Sequence, residues 1–184
     1  MSKKRPLTGP TYLTIFRMVL AIVFACFALI PETWARITAL TIFIVASITD
    51  KIDGNWARRT GNVTDLGAFL DPLADKMLVD LAFLVLVYMN VIPLWTFAVI
   101  IVRDLAVDGM RMMAARKSIT ISASFLGKLK TTFQMTALII ILLNCIVQLV
   151  FLTILGNTVL YVAIALTVFS GLDYLVKGYK TVLK

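Results

Sequence analysis

The sequence predicts an all-α membrane protein, a polytopic bundle of six transmembrane helices with both termini in the cytoplasm. Of its 184 residues, 60% are hydrophobic and only 15% are charged, whereas soluble domains average about 45–50% apolar and about 25% charged residues. Long stretches of the chain carry no charge. The composition therefore excludes a water-soluble globule, and the length predicts a single domain over residues 1–184.

Turn signals divide the first half of the chain into four helices. The first two are predicted from about Tyr12 to Ile30 and from about Trp34 to Ile52, on either side of Pro31-Glu32. The third helix follows an acidic segment and ends at Asn90-Val91-Ile92-Pro93, because a proline disfavours helix at the residue before it. The fourth helix begins after this turn.

The second half contains one apolar run too long for a single crossing. No residue from Thr131 to Leu172 is charged. At about 1.5 Å per residue this run would make a helix of ~63 Å, twice the ~30 Å of a hydrocarbon core. The run must therefore form two helices, and Gly156-Asn157 is the predicted turn between them.

The distribution of basic residues supports six spans. With six spans, 17 of the 18 Lys and Arg residues lie on one side of the membrane, and only Arg36 lies on the other. Basic residues stay in the cytoplasm, so both termini are predicted to be cytoplasmic. Five spans would divide the basic residues between the two faces.

The chain offers few kinds of reactive side chain. It contains no histidine, and its two cysteines, Cys26 and Cys145, are isolated in apolar stretches. These facts exclude His-based acid/base catalysis, His-ligated zinc, a CxxC metal site and a disulfide framework. A metal would have to be bound by oxygen, which favours Mg²⁺, Mn²⁺ or Ca²⁺.

Four carboxylates with ordered spacing mark the candidate site. Asp50 and Asp53 share a face at the end of the second helix, and Asp71 and Asp75 share a face of the third with Gly67. The intervening loop is short, so the acidic faces are predicted to face each other as antiparallel neighbours. Two divalent cations bridged by the four carboxylates would balance their charge. An interfacial salt-bridge cluster is the alternative, with these cations as partners: Lys51, Arg58, Arg59 and Lys76.

These residues follow the pattern D-x2-D-G-x2-A-R-x8-G-x3-D-x3-D over residues 50–75. The chain thereby resembles the CDP-alcohol phosphotransferase family, which moves a phosphatidyl or similar group from a CDP-linked donor to an alcohol and releases CMP. The resemblance implies two divalent cations, Mg²⁺ or Mn²⁺, a general base at Asp75 and a homodimer. The metal ligands it implies are Asp50, Asp53, Asp71 and Asp75. The residues it implies for the CDP-linked donor are Asp53, Gly54, Ala57, Arg58 and Gly67.

Within the family, several segments look like those of members that use glycerol 3-phosphate as acceptor. The segments are residues 69–76, 102–104, 109–111, 127–131 and 170–174. This likeness implies CDP-diacylglycerol as donor, phosphatidylglycerophosphate and CMP as products, and a bacterial cytoplasmic membrane with the active site facing the cytoplasm. Asp104 and Asp108 stand where these members commonly have Glu and Thr. The family pattern N-x-x-T-x-x-R has Thr11 in place of its Asn, with Thr14 and Arg17 intact.

A cluster of basic residues suits a phosphate-bearing acceptor. Arg103 and Arg111 fall near one face of the fourth helix, and Lys128 and Lys130 begin the fifth. The planar fork of arginine binds phosphate at two points. Arg103, Arg111 and Lys128 are the predicted ligands of the acceptor phosphate. The alternative is an ordinary basic loop on the cytoplasmic side.

The sequence is also compatible with other functions. An acceptor such as an inositol phosphate would need the same basic cluster, whereas serine would not, and a cardiolipin-forming enzyme of this fold is a further alternative. A cation transporter could also use membrane carboxylates. Transport sites lie near the bilayer midplane, often in inverted repeats, whereas the carboxylates here cluster at one face and no repeat is found.

Overall fold

The computed structural model describes residues 9–60, 65–116 and 125–182, with side chains for residues 12, 14–49, 73–74, 76–114, 125–176 and 178. Over these ranges the chain forms six α-helices and no strand, which confirms the predicted fold class. The helices are α1 (Gly9–Ala28), α2 (Thr33–Thr60), α3 (Asp65–Tyr88), α4 (Leu94–Arg116), α5 (Phe125–Val147) and α6 (Val150–Val182). They form two compact units, which we call unit 1 (Met1–Met89, α1 to α3) and unit 2 (Asn90–Lys184, α4 to α6).

Unit 1 is organised around α1, which packs against both α2 and α3. The Phe24 and Phe43 rings lie 5.5 Å apart between α1 and α2. Small residues recur through the core of this unit: Ala21, Ala28, Ala35, Ala39, Ala46, Ala74 and Ala82 are all buried. Small side chains let helix backbones approach closely, which is how membrane helices gain packing energy.

Unit 2 is organised around α6, which packs against both α4 and α5. Two glycines allow the close approach of α6 to α4. A Cβ atom at Gly171 would lie 2.7 Å from Cγ of Arg103, and one at Gly178 would lie 2.6 Å from Cγ of Met110. A side chain of α4 therefore occupies the space next to each glycine, so a larger residue would not fit at either position.

The predicted turn between the third and fourth helices is confirmed. The helix α3 ends at Tyr88 and α4 begins at Leu94. Between them Asn90 has a φ of 57°, a left-handed conformation that asparagine tolerates better than most residues. Pro93 directly precedes α4, and its carbonyl oxygen accepts a hydrogen bond from the backbone N–H of Thr96.

The predicted turn at Gly156-Asn157 is wrong, because both residues lie inside α6. The chain turns at Gln148, whose φ is 54°. The Asn144 side chain holds this turn: its Oδ1 accepts a hydrogen bond from the Leu149 backbone N–H at 2.9 Å, and its Nδ2 donates to Thr153 Oγ1 at 2.8 Å. The side-chain amide thus satisfies one backbone N–H and one side-chain hydroxyl at the helix junction.

Gly156 instead serves helix packing. A Cβ atom at this position would lie 2.8 Å from Cγ1 of Ile141 and 3.3 Å from Cγ2 of Ile140. The missing side chain lets α6 lie directly against α5. A glycine favours turns and close packing for the same reason, its lack of a Cβ atom.

Two helices in the described part of the chain are long and apolar enough to cross a membrane by length and composition, Phe125–Val147 and Val150–Val176. Two shorter apolar helical segments are Thr14–Ala28 and Thr33–Thr49. Together with large exposed apolar side chains such as Val150 and Phe151, these segments indicate a membrane protein. Six membrane crossings and cytoplasmic termini stay predictions.

Candidate functional site

The four motif aspartates lie on two helices of unit 1. Asp50 and Asp53 are in α2, and Asp71 and Asp75 are in α3. Residues three or four apart in a helix share a face, so each pair is placed one turn apart on its own helix. Their side chains lie outside the described residues, so the predicted facing of the two acidic pairs stays a prediction.

The predicted metal and donor residues belong to the same two helical segments. Gly54, Ala57 and Arg58 are in α2, and Gly67 is in α3. Their surroundings also lie outside the described residues. Among the side chains that the structure does describe, no three His, Cys, Asp or Glu residues form a group that could hold a metal ion. The four motif aspartates are not among these described side chains.

Helix α1 contributes two buried polar residues to the core of unit 1. Thr14 is 2% exposed and Arg17 is 7% exposed. An ionised side chain within an apolar helix is costly and usually marks a functional position. Neither residue is among the site residues predicted from the sequence, although the T-x-x-R part of the family pattern contains both. Burial of Arg17 is the property that the pattern alone did not reveal.

Arg103 is fixed between α4 and α6. Its Nη1 donates to Asp104 Oδ1 at 3.0 Å, and its Nη2 donates to Ser170 Oγ at 3.0 Å. The aliphatic part of its side chain lies across Gly171. The Arg103 Nε atom is buried and has no hydrogen-bond acceptor within the described part of the chain. Two hydrogen bonds thus fix the guanidinium, and its Nε–H group makes none within the described part of the chain.

Lys130 joins Arg103 at the same carboxylate. The Lys130 ammonium donates to Asp104 Oδ1, the oxygen that also accepts from Arg103. Lys130 is only 4% exposed, and it lies in a segment apolar enough to cross a membrane. Two cations therefore meet at one carboxylate oxygen in the interior of unit 2.

Arg111 lies on the same side of α6 as Arg103. Its Nε donates to the Tyr174 hydroxyl at 3.1 Å, and its guanidinium carbon lies 5.2 Å from the centre of the Tyr174 ring. Ser170 and Tyr174 are one turn apart on α6, so this face receives both predicted arginines. Arg111 itself remains exposed to solvent.

The two lysines of α5 have different surroundings. Lys128 is exposed, whereas Lys130 is buried. Residues two apart in a helix point about 200° away from each other, so the two side chains leave α5 on opposite sides. The structure therefore brings Arg103 together with Lys130, a residue that was not among the predicted phosphate ligands, and not with Lys128. Helical spacing contained this signal, but only the packing of α5 shows which lysine faces inward.

Comparison with known proteins agrees with the motif. The CDP-alcohol phosphatidyltransferase family model matches residues 7–169. A Bacillus subtilis (strain 168) protein named CDP-diacylglycerol--glycerol-3-phosphate 3-phosphatidyltransferase is 37% identical, over 93% of this chain and 95% of its own length. Proteins of the same name from Escherichia coli (strain K12) and Shigella flexneri are 39% identical, over 90% of this chain and 92% of theirs. The chain belongs to the CDP-alcohol phosphatidyltransferase family.

Proposed function

We propose that this protein is an enzyme of phospholipid synthesis. It transfers the phosphatidyl group of CDP-diacylglycerol to the 1-hydroxyl of glycerol 3-phosphate and produces phosphatidylglycerophosphate and CMP. The observation that carries this proposal is the likeness, over nine-tenths of the chain, to relatives whose name states this reaction. The complete aspartate motif in α2 and α3 would supply the metal ligands and the general base of this reaction.

The chemistry follows from the residues of the motif. The acceptor hydroxyl oxygen forms a bond to the phosphorus of the phosphatidyl group, and the bond from that phosphorus to the oxygen of the CMP phosphate breaks. The electron pair of the broken bond leaves with CMP. We assign Asp75 as the general base that takes the hydroxyl proton, because a carboxylate next to the acceptor can accept it in the transition state.

Phosphoryl transfer requires positive charge next to the phosphate oxygens. The donor set of Asp50, Asp53, Asp71 and Asp75 fits two Mg²⁺ or Mn²⁺ ions, because all four ligands are carboxylates and the chain contains no histidine. These cations would supply that charge. We assign the binding of the CDP moiety to these residues: Asp53, Gly54, Ala57, Arg58 and Gly67.

We assign the acceptor phosphate to unit 2. Arg103 and Arg111 reach the same face of α6, and the buried Arg103 Nε is a donor without an acceptor in the described part of the chain. A buried polar group without a partner requires an explanation, and an incoming phosphate oxygen supplies one. The contacts favour Lys130 over the exposed Lys128 as the lysine of this set.

The setting follows from the family and the apolar helices. We propose one catalytic domain over residues 1–184, since the family model spans 7–169 and so includes helices of both units. We further propose that the protein crosses the bacterial cytoplasmic membrane several times and that its aspartates face the cytoplasm. In this setting membrane lipids surround the protein, and it assembles as a homodimer. The arrangement of basic residues supports this orientation.

The acceptor can be identified directly. Purified protein is given CDP-diacylglycerol with labelled glycerol 3-phosphate, glycerol, serine, inositol phosphate or phosphatidylglycerol, and the lipid product is identified by mass spectrometry. We expect phosphatidylglycerophosphate and an equal amount of CMP with glycerol 3-phosphate alone. Equal use of glycerol would contradict a phosphate-binding site, and a lack of CMP release with every acceptor would favour a transporter.

Arg111→Ala is expected to raise the KM for glycerol 3-phosphate by about tenfold or more, since a charge-assisted contact to phosphate contributes about 1.5–3 kcal/mol. The KM for CDP-diacylglycerol should stay within twofold. Lys128→Ala should have a smaller effect, because this exposed cation is well solvated. Steady-state kinetics with each substrate varied separately measure both values. An unchanged acceptor KM in Arg111→Ala would remove this residue from the site.

A further inference from the structure

Asp104 occupies the centre of a polar network that joins three helices. It lies in α4, its Oδ1 accepts from Arg103 of α4 and from Lys130 of α5, and Arg103 continues to Ser170 of α6. The Ser170 hydroxyl in turn donates to the backbone oxygen of Thr167 at 3.2 Å. Gln134 Nε2 then donates to Thr167 Oγ1 at 3.2 Å. Because Gln134 lies one turn beyond Lys130 on α5, this network returns to the helix that provides Lys130.

The contact between Asp104 and Lys130 crosses a gap between helices. Both α4 and α5 pack against α6, and in the described residues their backbones do not pack against each other. The long lysine side chain spans this distance and ends on Asp104. Both side chains are largely removed from solvent, with 5% of Lys130 and 13% of Asp104 exposed. A buried charge is tolerated when a partner of opposite charge accepts its hydrogen bonds.

The shared oxygen also lets two like charges lie close together. An arginine and a lysine side chain repel each other in a medium of low dielectric constant. A carboxylate between them attracts both cations. It holds one nitrogen atom of each at hydrogen-bond distance from the same carboxylate oxygen, Asp104 Oδ1. The guanidinium has five N–H donors and the ammonium three, so contact with one carboxylate oxygen does not use up the donors of either cation.

We propose that Asp104 is a positioning residue for the phosphate of the acceptor. Its carboxylate holds the Arg103 guanidinium and the Lys130 ammonium together, so that both donate to one phosphate group. This inference rests on the proposed function, because it assigns the phosphate-bearing acceptor to unit 2. Asp104 does not touch the substrate, and it acts through the two cations that it orients.

The sign of one kinetic effect separates positioning from simple electrostatics. A carboxylate near a phosphate site repels the phosphate, so removal of its charge alone would lower the acceptor KM. Removal of a positioning carboxylate has the opposite effect, because Arg103 and Lys130 then move apart and no longer converge on the ligand. Asp104→Asn, which preserves the size of the side chain, is therefore the informative substitution.

The test uses the full chain in detergent micelles with CDP-diacylglycerol, and each substrate is varied separately. We expect Asp104→Asn to raise the KM for glycerol 3-phosphate about tenfold, which corresponds to about 1.4 kcal/mol, with the donor KM within twofold. Asp104→Glu should restore most of the acceptor affinity, because it returns a carboxylate. Ser170→Ala releases Arg103 from its other contact and should raise the acceptor KM a few-fold, which tests the proposal even if Asp104→Asn does not fold.

Asp108→Asn is the matched control, since it removes the same charge from α4 one turn further along. It should leave the acceptor KM unchanged or slightly lower. An unchanged or lowered acceptor KM in Asp104→Asn would overturn the proposal, as would equal rises in the KM of both substrates. Failure of Asp104→Glu to restore acceptor affinity would also overturn it.

A binding measurement separates this proposal from the proposed function. Inorganic phosphate should raise the melting temperature of the unmutated protein and have less effect on Asp104→Asn. If the unmutated protein made no phosphatidylglycerophosphate but kept this difference, the proposed function would fail while the role of Asp104 stood. The opposite outcome is that the unmutated protein makes phosphatidylglycerophosphate, but inorganic phosphate stabilises the unmutated protein and Asp104→Asn equally. The role of Asp104 would then fail while the proposed function stood.

Discussion

Asp50→Asn, Asp71→Asn and Asp75→Asn are each expected to lower turnover by roughly a thousandfold or more, since groups that act as one catalytic unit lose nearly all activity when one is removed. An amide carries no negative charge, so it binds a divalent cation weakly and accepts no proton from the acceptor. CMP release from CDP-diacylglycerol in the presence of glycerol 3-phosphate measures the loss. The variants should retain the melting temperature of the unmutated protein to within a few degrees.

Glu32→Gln provides the matched control. It makes the same carboxylate-to-amide change at an exposed residue in the turn between α1 and α2, and it should leave turnover unchanged. A chelator should abolish activity in the unmutated protein, and added Mg²⁺ or Mn²⁺ should restore it. Full activity in excess chelator would refute the metal assignment. Retained activity in Asp75→Asn would remove the assigned base and leave the metal assignment intact.

Gly156→Ala is expected to destabilise unit 2 by about 1–3 kcal/mol, the usual cost of an added methyl group in a tightly packed core. The new methyl group would lie 2.8 Å from Cγ1 of Ile141 and 3.3 Å from Cγ2 of Ile140. Either the Ile141 side chain or one of the two helices must therefore shift, and Gly156→Leu should prevent α5 and α6 from packing. Thermal unfolding in detergent, followed by circular dichroism, measures the change.

Gly109→Ala is the control for this substitution. It adds the same methyl group to a helical glycine, but nothing lies within 4 Å of its Cβ position. Alanine forms helices better than glycine by about 1 kcal/mol, so this variant should be as stable as the unmutated protein or more so. A double variant that combines Gly156→Ala with Ile141→Ala should be less destabilised than the sum of the two single variants, because the added methyl group enters the vacated space. Strict additivity would contradict the contact.

Local properties of the chain were sufficient to predict the helices and the motif. The density of apolar residues and the absence of charge over long runs predicted an all-α fold, and six helices are observed in the described residues. Pro93 predicted the turn between α3 and α4, because a proline disfavours helix at the residue before it, and Asn90 tolerates the left-handed conformation that this turn contains. The spacing of Asp71 and Asp75 was also a local signal, because residues four apart share one face of a helix.

The use of Gly156 and the choice between Lys128 and Lys130 depended on tertiary structure. A glycine permits either a turn or a close helix contact, and the approach of α5 to α6 decided for the contact. The turn at Gln148 was not evident from the sequence, since its stability comes from the Asn144 side chain. The burial of Lys130 likewise follows from Asp104 on another helix. The local sequence was thus enough to predict the helices and the spacing of the acidic motif. The roles of the packing glycines and of the converging cations required the folded chain, because packing and charge pairing join residues that are far apart in the sequence.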